Sequence, residues 1–475
     1  MKILLLPCLA ITLLPSQVRG DAAPIDKVVH IYFTKSSEEF MKTYATEEGS
    51  VPKDKKKEAV DAIIKMTKDS QQEVVQAIEA HSTKYKYESF WVVNMISLNE
   101  TDSELLEKIT EMSSVKSVEL IDRPVPNYME GDEALKEPEG ESRQSGARWH
   151  IQQLNVPEVW KSGINGSGVV VGTLHRGAFA PHTILRPSYR GDGQYGFYEP
   201  GSADDASSGN IKDCAHEHGL THISTGRVGM AVGQNGYGVA PGAKFMACSC
   251  VERIESFLDC LTWLICPHNG GTSNGDPDCS KSPAAVAVSS TYGGLNVSPA
   301  MMIQGVTMLI TMGITVITEA GRIEGNPCRQ ISPGCTVESS ICVGFTNADG
   351  KRSKFSACGP GPLNSTKPDI VVPGYGIESP DSCVIGCIRD NAVGDCTYME
   401  IGATSGSGHA LGIVALMYQK NPRLTPARVR KILIDSGKLI EDEEYQCCGD
   451  LDEKNHPNYC IGYGLVDAKK AVDSA

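Results

Sequence analysis

The sequence predicts an α/β fold, a parallel sheet covered by helices on both faces and preceded by a small α+β unit. Two observations carry this. Between residues 169 and 346 five short runs are apolar throughout: VVVGTL from 169, FMACSCV from 245, AAVAVSS from 284, ITVIT from 314 and ICVGF from 341. Strands buried on both faces read this way, whereas half-solvated strands alternate. The first 120 residues instead give mixed strands and helices, with no cysteine from 21 to 213.

In that first part, KVVHIYFT from Lys27 to Thr34 alternates as a strand. A lysine-rich helical stretch follows to about Tyr85, with a restart predicted at Ser70, where Glu73 completes a capping box. FWVVNMISL from Phe90 to Leu98 reads as a second strand, SELLEKIT from Ser103 as a helix and VKSVELI from Val115 as a strand. Residues 124–147, rich in Glu, Pro, Gly and Ser, form a linker with nothing periodic to bury. Beyond it, helices from about His409 to Gln419 and Thr425 to Asp435 would cover one face of the sheet.

Lys2, the apolar run Ile3–Leu14 and the small residues around Val18-Arg19-Gly20 read as a secretory signal over residues 1–20. The run is short of the roughly 20 residues a membrane span needs. Apart from Cys8, every cysteine lies between Cys214 and Cys460. An extracellular chain with this usage is stapled by disulfides, whose pairing the sequence leaves open. Cys248 with Cys250, Cys383 with Cys387, and Cys447 with Cys448 lack the second close-spaced couple of a zinc site. Sequons at Asn99, Asn165, Asn296 and Asn364 are candidate glycosylation sites. A net charge of −14 disfavours a nucleic-acid partner.

The motifs at the ends of these strands resemble the subtilase family of serine peptidases from about Trp149 to Ala471. WHIQQLNVPEVWKSGINGSGVVVGTL, NGYGVAPGAKFMA from Asn235, YQKNPRLTPARVRKIL from 418 and NYCIGYGLVDAKKAV from 458 fall in the family's order. WLICPHNGG and CSKSPAAVAVSSTYGG are similar to its bacillopeptidase F branch. The resemblance implies a subtilisin-like domain over 148–475 and, over 21–123, a ferredoxin-like propeptide of the inhibitor type.

A serine peptidase needs a nucleophilic hydroxyl, a histidine to take its proton, a carboxylate to stabilise that histidine, and donors for the oxyanion. By the resemblance, the family's D-T-G becomes His175-Arg176-Gly177, with Gly166 and Gly168 fixing the register, so His175 stands at the Asp position. An imidazole supplies no negative charge, and in a serine-protease triad even Asp→Asn costs about 10⁴ in turnover. H-G-T-H becomes His218-Gly219-Leu220-Thr221-His222, which keeps the base at His218 beside an inserted Leu220. A-G-N becomes Ala320-Gly321-Arg322, placing Arg322 at the oxyanion Asn position, where loss of a donor costs about 10² to 10³.

The nucleophile motif G-T-S-M-A-x-P-H becomes Gly402-Ala403-Thr404-Ser405-Gly406-Ser407-Gly408-His409. Ungapped, Thr404 takes the Ser position, and its methyl group restricts rotation and crowds a carbonyl. Ser405, one residue on, is the alternative nucleophile, with Gly406 and Gly408 read as slack in the helix start. Losses within one catalytic unit are not additive, so the altered positions together predict negligible turnover rather than a product of penalties.

The resemblance also implies that Ser290-Thr291-Tyr292-Gly293-Gly294 holds substrate as an extended strand, although the glycines would equally shape a turn. The predicted function is a secreted pseudoprotease that binds peptides, protease inhibitors or its own propeptide. The alternative is an active endopeptidase using Ser405 or Thr404 with His218; a structural or storage protein without an open cleft is a third class. No cofactor and no membrane partner are expected. Structural calcium ligands cannot be assigned, and a metal held by His175, His218 and His222 has only its ligand types in favour.

Overall fold

The computed structural model describes residues 27–121, 148–175, 177–191, 195–200, 221–249, 253–267, 279, 286–289, 299–323, 325–380, 398–401, 406–440, 448 and 457–475. The linker predicted at 124–147 lies outside them. The N-terminal unit holds a four-stranded antiparallel sheet ordered β2-β3-β1-β4, formed by β1 (Val28–Phe33), β2 (Tyr87–Phe90), β3 (Met95–Leu98) and β4 (Val115–Ile121). Its helices are α1 (Ser37–Lys42), α2 (Lys56–His81) and α3 (Ser103–Thr110). Val29 and Ile31 of β1 meet Val74 and Ile78 of α2 and Leu105 and Ile109 of α3 in a small core. Asp102 caps α3 by accepting from the Leu105 amide at 2.9 Å, satisfying a donor the helix start leaves over.

Two expectations for this unit change. α2 runs through Ser70 without a restart, because the Ser70 hydroxyl donates back to the Thr67 carbonyl at 3.0 Å and accepts from Asn94 Nδ2 at 2.9 Å instead of capping. The run FWVVNMISL is not one strand: Phe90 ends β2, the next four residues turn the chain, and Met95–Leu98 form β3, which pairs back on β2. Asn94 turns the chain at φ 48°, a left-handed value that asparagine tolerates, and its amide also donates to the Lys35 carbonyl at 2.8 Å. Trp91, Val92 and Val93 are buried although they form the turn, because that turn sinks into the second domain.

The second domain is a nine-stranded sheet ordered β14-β15-β11-β10-β9-β8-β5-β7-β6. Its strands are β5 (Val170–His175), β6 (Phe197–Tyr198), β7 (Lys244–Ser249), β8 (Val286–Ser289), β9 (Thr315–Glu319), β10 (Ile341–Thr346), β11 (Ile370–Pro373), β14 (Gly437–Lys438) and β15 (Leu465–Val466). Every pairing is parallel except that of the edge strand β14 with β15. β12 (Ile377–Pro380) and β13 (Tyr398–Ile401) form a separate antiparallel ribbon. All five apolar runs became strands of the large sheet.

Helices of this domain are α4 (Trp149–Gln153), α5 (Val156–Trp160), α6 (Thr221–Val232), α7 (Ile254–Ile265), α8 (Pro299–Thr311), α9 (Ser407–Lys420), α10 (Pro426–Asp435) and α11 (Ala468–Asp473). Side-chain alternation splits the strands between two cores. Phe245, Ala247 and Ile317 pack with α6, α9 and α10, while Met246, Cys248 and Val316 pack with α7 and α8 on the other face. No helix among the described residues is long and apolar enough to cross a membrane.

The two units share the second of these cores, in which Met41, Ile63 and Trp91 join Phe257, Leu261 and Met302. Glu255, at the start of α7, is its polar centre: it accepts from Ser97 Oγ at 2.6 Å and meets His30 Nε2 at 3.1 Å and Arg253 Nε at 3.3 Å. Burial opposes the charge of Glu255, but hydrogen bonds from His30 and Ser97 outweigh it and hold the carboxyl down at about 2. One turn along α7, Asp259 is 7% exposed. Burial first, then the Glu88 and Glu255 charges, push its carboxyl up to about 8 against the opposing effect of Arg253.

A carboxyl raised on folding favours the protonated folded state, so its contribution is complete below the unfolded value near 4 and is lost as pH rises towards 8, by at most about 1.4 kcal/mol per pH unit. Asp259→Asn should therefore raise the thermal midpoint at pH 8 and leave it unchanged at pH 4, as read by circular dichroism; an equal shift at both values would refute the assignment.

Candidate functional site

Parallel α/β sheets place their sites at the carboxyl ends of the strands, where connections diverge. His175 is the last residue of β5, between β7 and β8. Its Nδ1 hydrogen-bonds the Ser224 hydroxyl on α6, the helix that follows the His218 motif. Gly177, at φ 82°, then turns the chain away; a side chain there would be strained and would meet Phe197 at 3.1 Å. A hydroxyl can fix the tautomer and direction of the ring, but it carries no charge to stabilise an imidazolium.

Arg322 follows β9 after Gly321, whose φ is 113°. Its backbone bridges Ser356, and its guanidinium carbon lies 5.5 Å from the centre of the Phe355 ring. Lys354 Nζ is 5.0 Å from the same ring, which stacks on Tyr375 at 5.6 Å. Cation–π contact thus gives the guanidinium an aromatic neighbour. His218, Thr404, Ser405, Ser290, Thr291, Tyr292, Gly293, Gly294 and Asn296 lie outside the described residues, and with His218 goes the metal reading that joined it to His175 and His222.

Glu319, which the sequence reading passed over, ends β9 at 0% exposure and forms an ion pair with Arg227 of α6, itself 3% exposed. Arg227 Nε lies 2.7 Å from Oε1, Nη2 donates to Oε2 at 2.8 Å, and Ser407 Oγ of α9 donates to Oε1 at 2.5 Å. One carboxylate therefore joins the helix after the His218 motif, the strand before Arg322 and the helix after Thr404. The available signal was a glutamate closing the otherwise uncharged run TVITE, together with an arginine inside the apolar face of α6.

Gly406 and Gly408 do not act as slack. A Cβ on Gly408 would lie 2.3 Å from the Arg227 carbonyl, and one on Gly406 would lie 2.8 Å from Val372, Phe345 and the Pro373 carbonyl. Both glycines are spent on bringing α9 against α6 and β11. Behind them His409 Nε2 meets His150 Nδ1 of α4 at 2.7 Å, both rings buried. Burial lowers His409 to about 3; burial, then His409 and Arg148, hold His150 well below the usual histidine range.

Among the described residues five disulfides staple the second domain: Cys248–Cys260, Cys266–Cys279, Cys328–Cys448, Cys335–Cys342 and Cys358–Cys460. This removes Cys248 and Cys448 from the zinc couples considered above. Cys383 and Cys387 lie outside the described residues. Among the sequons, Asn364 is exposed, Asn99 is half-buried, and Asn165 Oδ1 accepts from Ser167 Oγ at 2.7 Å.

The sequence profile of the subtilase family matches residues 166–464, nearly the whole of this domain. The chain belongs to the subtilase family. Bacillopeptidase F of Bacillus subtilis (strain 168) is similar over 447 residues at 27% identity, covering 88% of this chain and 29% of that protein. Serine protease AprX of the same organism is 29% identical over 181 residues, 36% of this chain and 38% of its own length. M-protease of Shouchella clausii (strain KSM-K16) is 26% identical over 349 residues, 70% of this chain and 76% of its own length. This subtilase therefore spans well under half the length of the first two.

Removing one member of a buried ion pair strands the other, at a typical cost of 3–5 kcal/mol, whereas replacing both with apolar residues is often neutral or better. Glu319→Leu in this subtilase should lose about that amount, and Arg227→Met with Glu319→Leu should regain most of it, in urea unfolding; additive losses would show that the pair is not coupled. Histidines lowered on folding contribute fully above their unfolded value near 6.5 and lose that contribution as pH falls towards 3, by about 1.4 kcal/mol per pH unit each. His409→Gln should flatten the decline in stability between pH 6.5 and 4.5; an unchanged slope would assign that decline elsewhere.

Proposed function

We propose that this subtilase is a secreted, non-catalytic homologue that acts by binding, its cleft holding a peptide or a protease inhibitor. The observation that carries the reading is that a histidine, His175, and no carboxylate, ends the strand at the family's Asp position, where its Nδ1 hydrogen-bonds the Ser224 hydroxyl. A base at His218 would then form its imidazolium with no carboxylate in the place where the family keeps one. Arg322 beside Phe355 and Thr404 at the nucleophile position support the same conclusion.

Residues 21–123 act in this reading as a propeptide of the inhibitor type, the chain's own first partner. The apolar core they share with α7 and α8 favours a unit that stays docked until another protease cuts the linker. Among the described sequons Asn364, the exposed one, is best placed to carry a glycan.

The rival reading, an active endopeptidase with Ser405 or Thr404 and His218, draws on the serine proteases among its relatives. A fluorophosphonate probe separates the two. The purified chain should take up no label at Ser405 or Thr404 by peptide mass spectrometry, and label at either residue, abolished by its change to alanine, would sink the binding reading.

A further inference from the structure

Four cysteines distant in sequence meet at one place in the second domain. Cys328–Cys448 and Cys358–Cys460 span 120 and 102 residues, and the two bridges are in contact. Cys448 Sγ lies 3.7 Å from Cys460 Sγ, and the sulfurs of Cys358, Cys448 and Cys460 all fall within 4.8 Å of one another. Cys328, bonded to Cys448, completes the group. In a tetrahedral zinc tetrathiolate with Zn–S of about 2.3 Å, neighbouring sulfurs are about 3.8 Å apart. The contact between the bridges already has the length of one edge of that tetrahedron.

The backbone around three of these cysteines is held without help from the sulfurs. The Cys358 amide donates to the Pro327 carbonyl at 2.8 Å, Arg329 to Gly359 at 2.9 Å and Gln330 to Cys358 at 3.1 Å, tying the segments of Cys328 and Cys358 together. The Gly359 amide donates to the Tyr459 carbonyl at 2.7 Å, and Asn458 Oδ1 accepts from the Cys460 amide at 2.9 Å, which adds the third segment. Cys358, Cys448 and Cys460 are buried, while Cys328 is half-buried and gives the group a side open to solvent.

Sulfurs bonded to each other are not metal ligands; the thiolate is. We infer that the reduced form of this chain binds one zinc-type cation through Cys328, Cys358, Cys448 and Cys460, and that the cation then staples the segments the two disulfides staple in the oxidised form. Two dithiol molecules reduce the pair of bridges. Each passes two electrons and two protons to a bridge and leaves as a cyclic disulfide, giving four cysteine thiols. Binding of one Zn²⁺ forms four Zn–S bonds and releases four protons. The inference is independent of whether the cleft is catalytic, so it can fail while the binding reading stands.

The test uses the full chain reduced by a water-soluble phosphine, which becomes the phosphine oxide by taking the oxygen of one water per disulfide. Titration with Co²⁺ should give the intense visible bands of a tetrahedral cobalt thiolate, and Zn²⁺ should displace the cobalt. The cobalt assigned to this site should fall from one per chain to none in Cys358→Ser with Cys460→Ser, and stay at one in Cys335→Ser with Cys342→Ser. Absence of the bands in the reduced wild-type chain, or their persistence in the first variant, would overturn the inference. If reduction unfolds the domain, recovery of its circular dichroism on adding Zn²⁺ supports the site, and recovery only on reoxidation overturns it.

Discussion

A carboxylate with no access to water fixes the working edge of this molecule. Glu319 closes β9 and binds Arg227 from α6 and Ser407 from α9, so three elements that meet nowhere in sequence share one charged node. Arg227 Nη2 donates to one carboxylate oxygen while Nε lies close to the other, and Ser407 uses a further lone pair, which together offset part of the cost of taking both charges out of water. Such a node resists sliding of one helix past the other. The close approach at Gly408 depends on the same registration, because its Cα faces the carbonyl of the residue that supplies the guanidinium.

The edge held this way has the subtilase scaffold. His175 sits at the end of its strand with a hydroxyl for a partner, and Arg322 leaves the next site strand towards an aromatic ring. Backbone recognition of an extended peptide needs neither of these side chains. On the other face of the sheet the Trp91 turn and Ile63 of the N-terminal unit share one apolar core with α7 and α8. Separating the units would expose a broad apolar face and free Glu255 from His30 and Ser97, so their association is part of the stability of the whole.

Much of this was legible in order along the chain. The five apolar runs became strands of the parallel sheet, the Thr425 start of α10 fell where its cap sits, and the subtilase motifs lay in family order. Misreadings arose where a residue's partner lies far away. FWVVNMISL reads as one strand because all its apolar side chains are buried, yet Trp91, Val92 and Val93 are buried by another domain. Ser70 with Glu73 reads as a helix start, but Asn94 engages the serine from across the unit. Gly406 and Gly408 look permissive until the backbone they face is known.

The sequence by itself determined the fold class and the family, and it carried the expectation that histidine, arginine and threonine stand where the family keeps catalytic groups, because these depend on local periodicity and on residue identity in a fixed register. Only the tertiary structure decided that Glu319 and Arg227 are partners, that His150 and His409 share a hydrogen bond, and that two disulfides lie sulfur against sulfur. Each of those facts joins residues from 92 to 259 positions apart in no pattern a chain displays, and a buried charge, a neutral histidine or a sulfur cluster takes its meaning from the group packed against it.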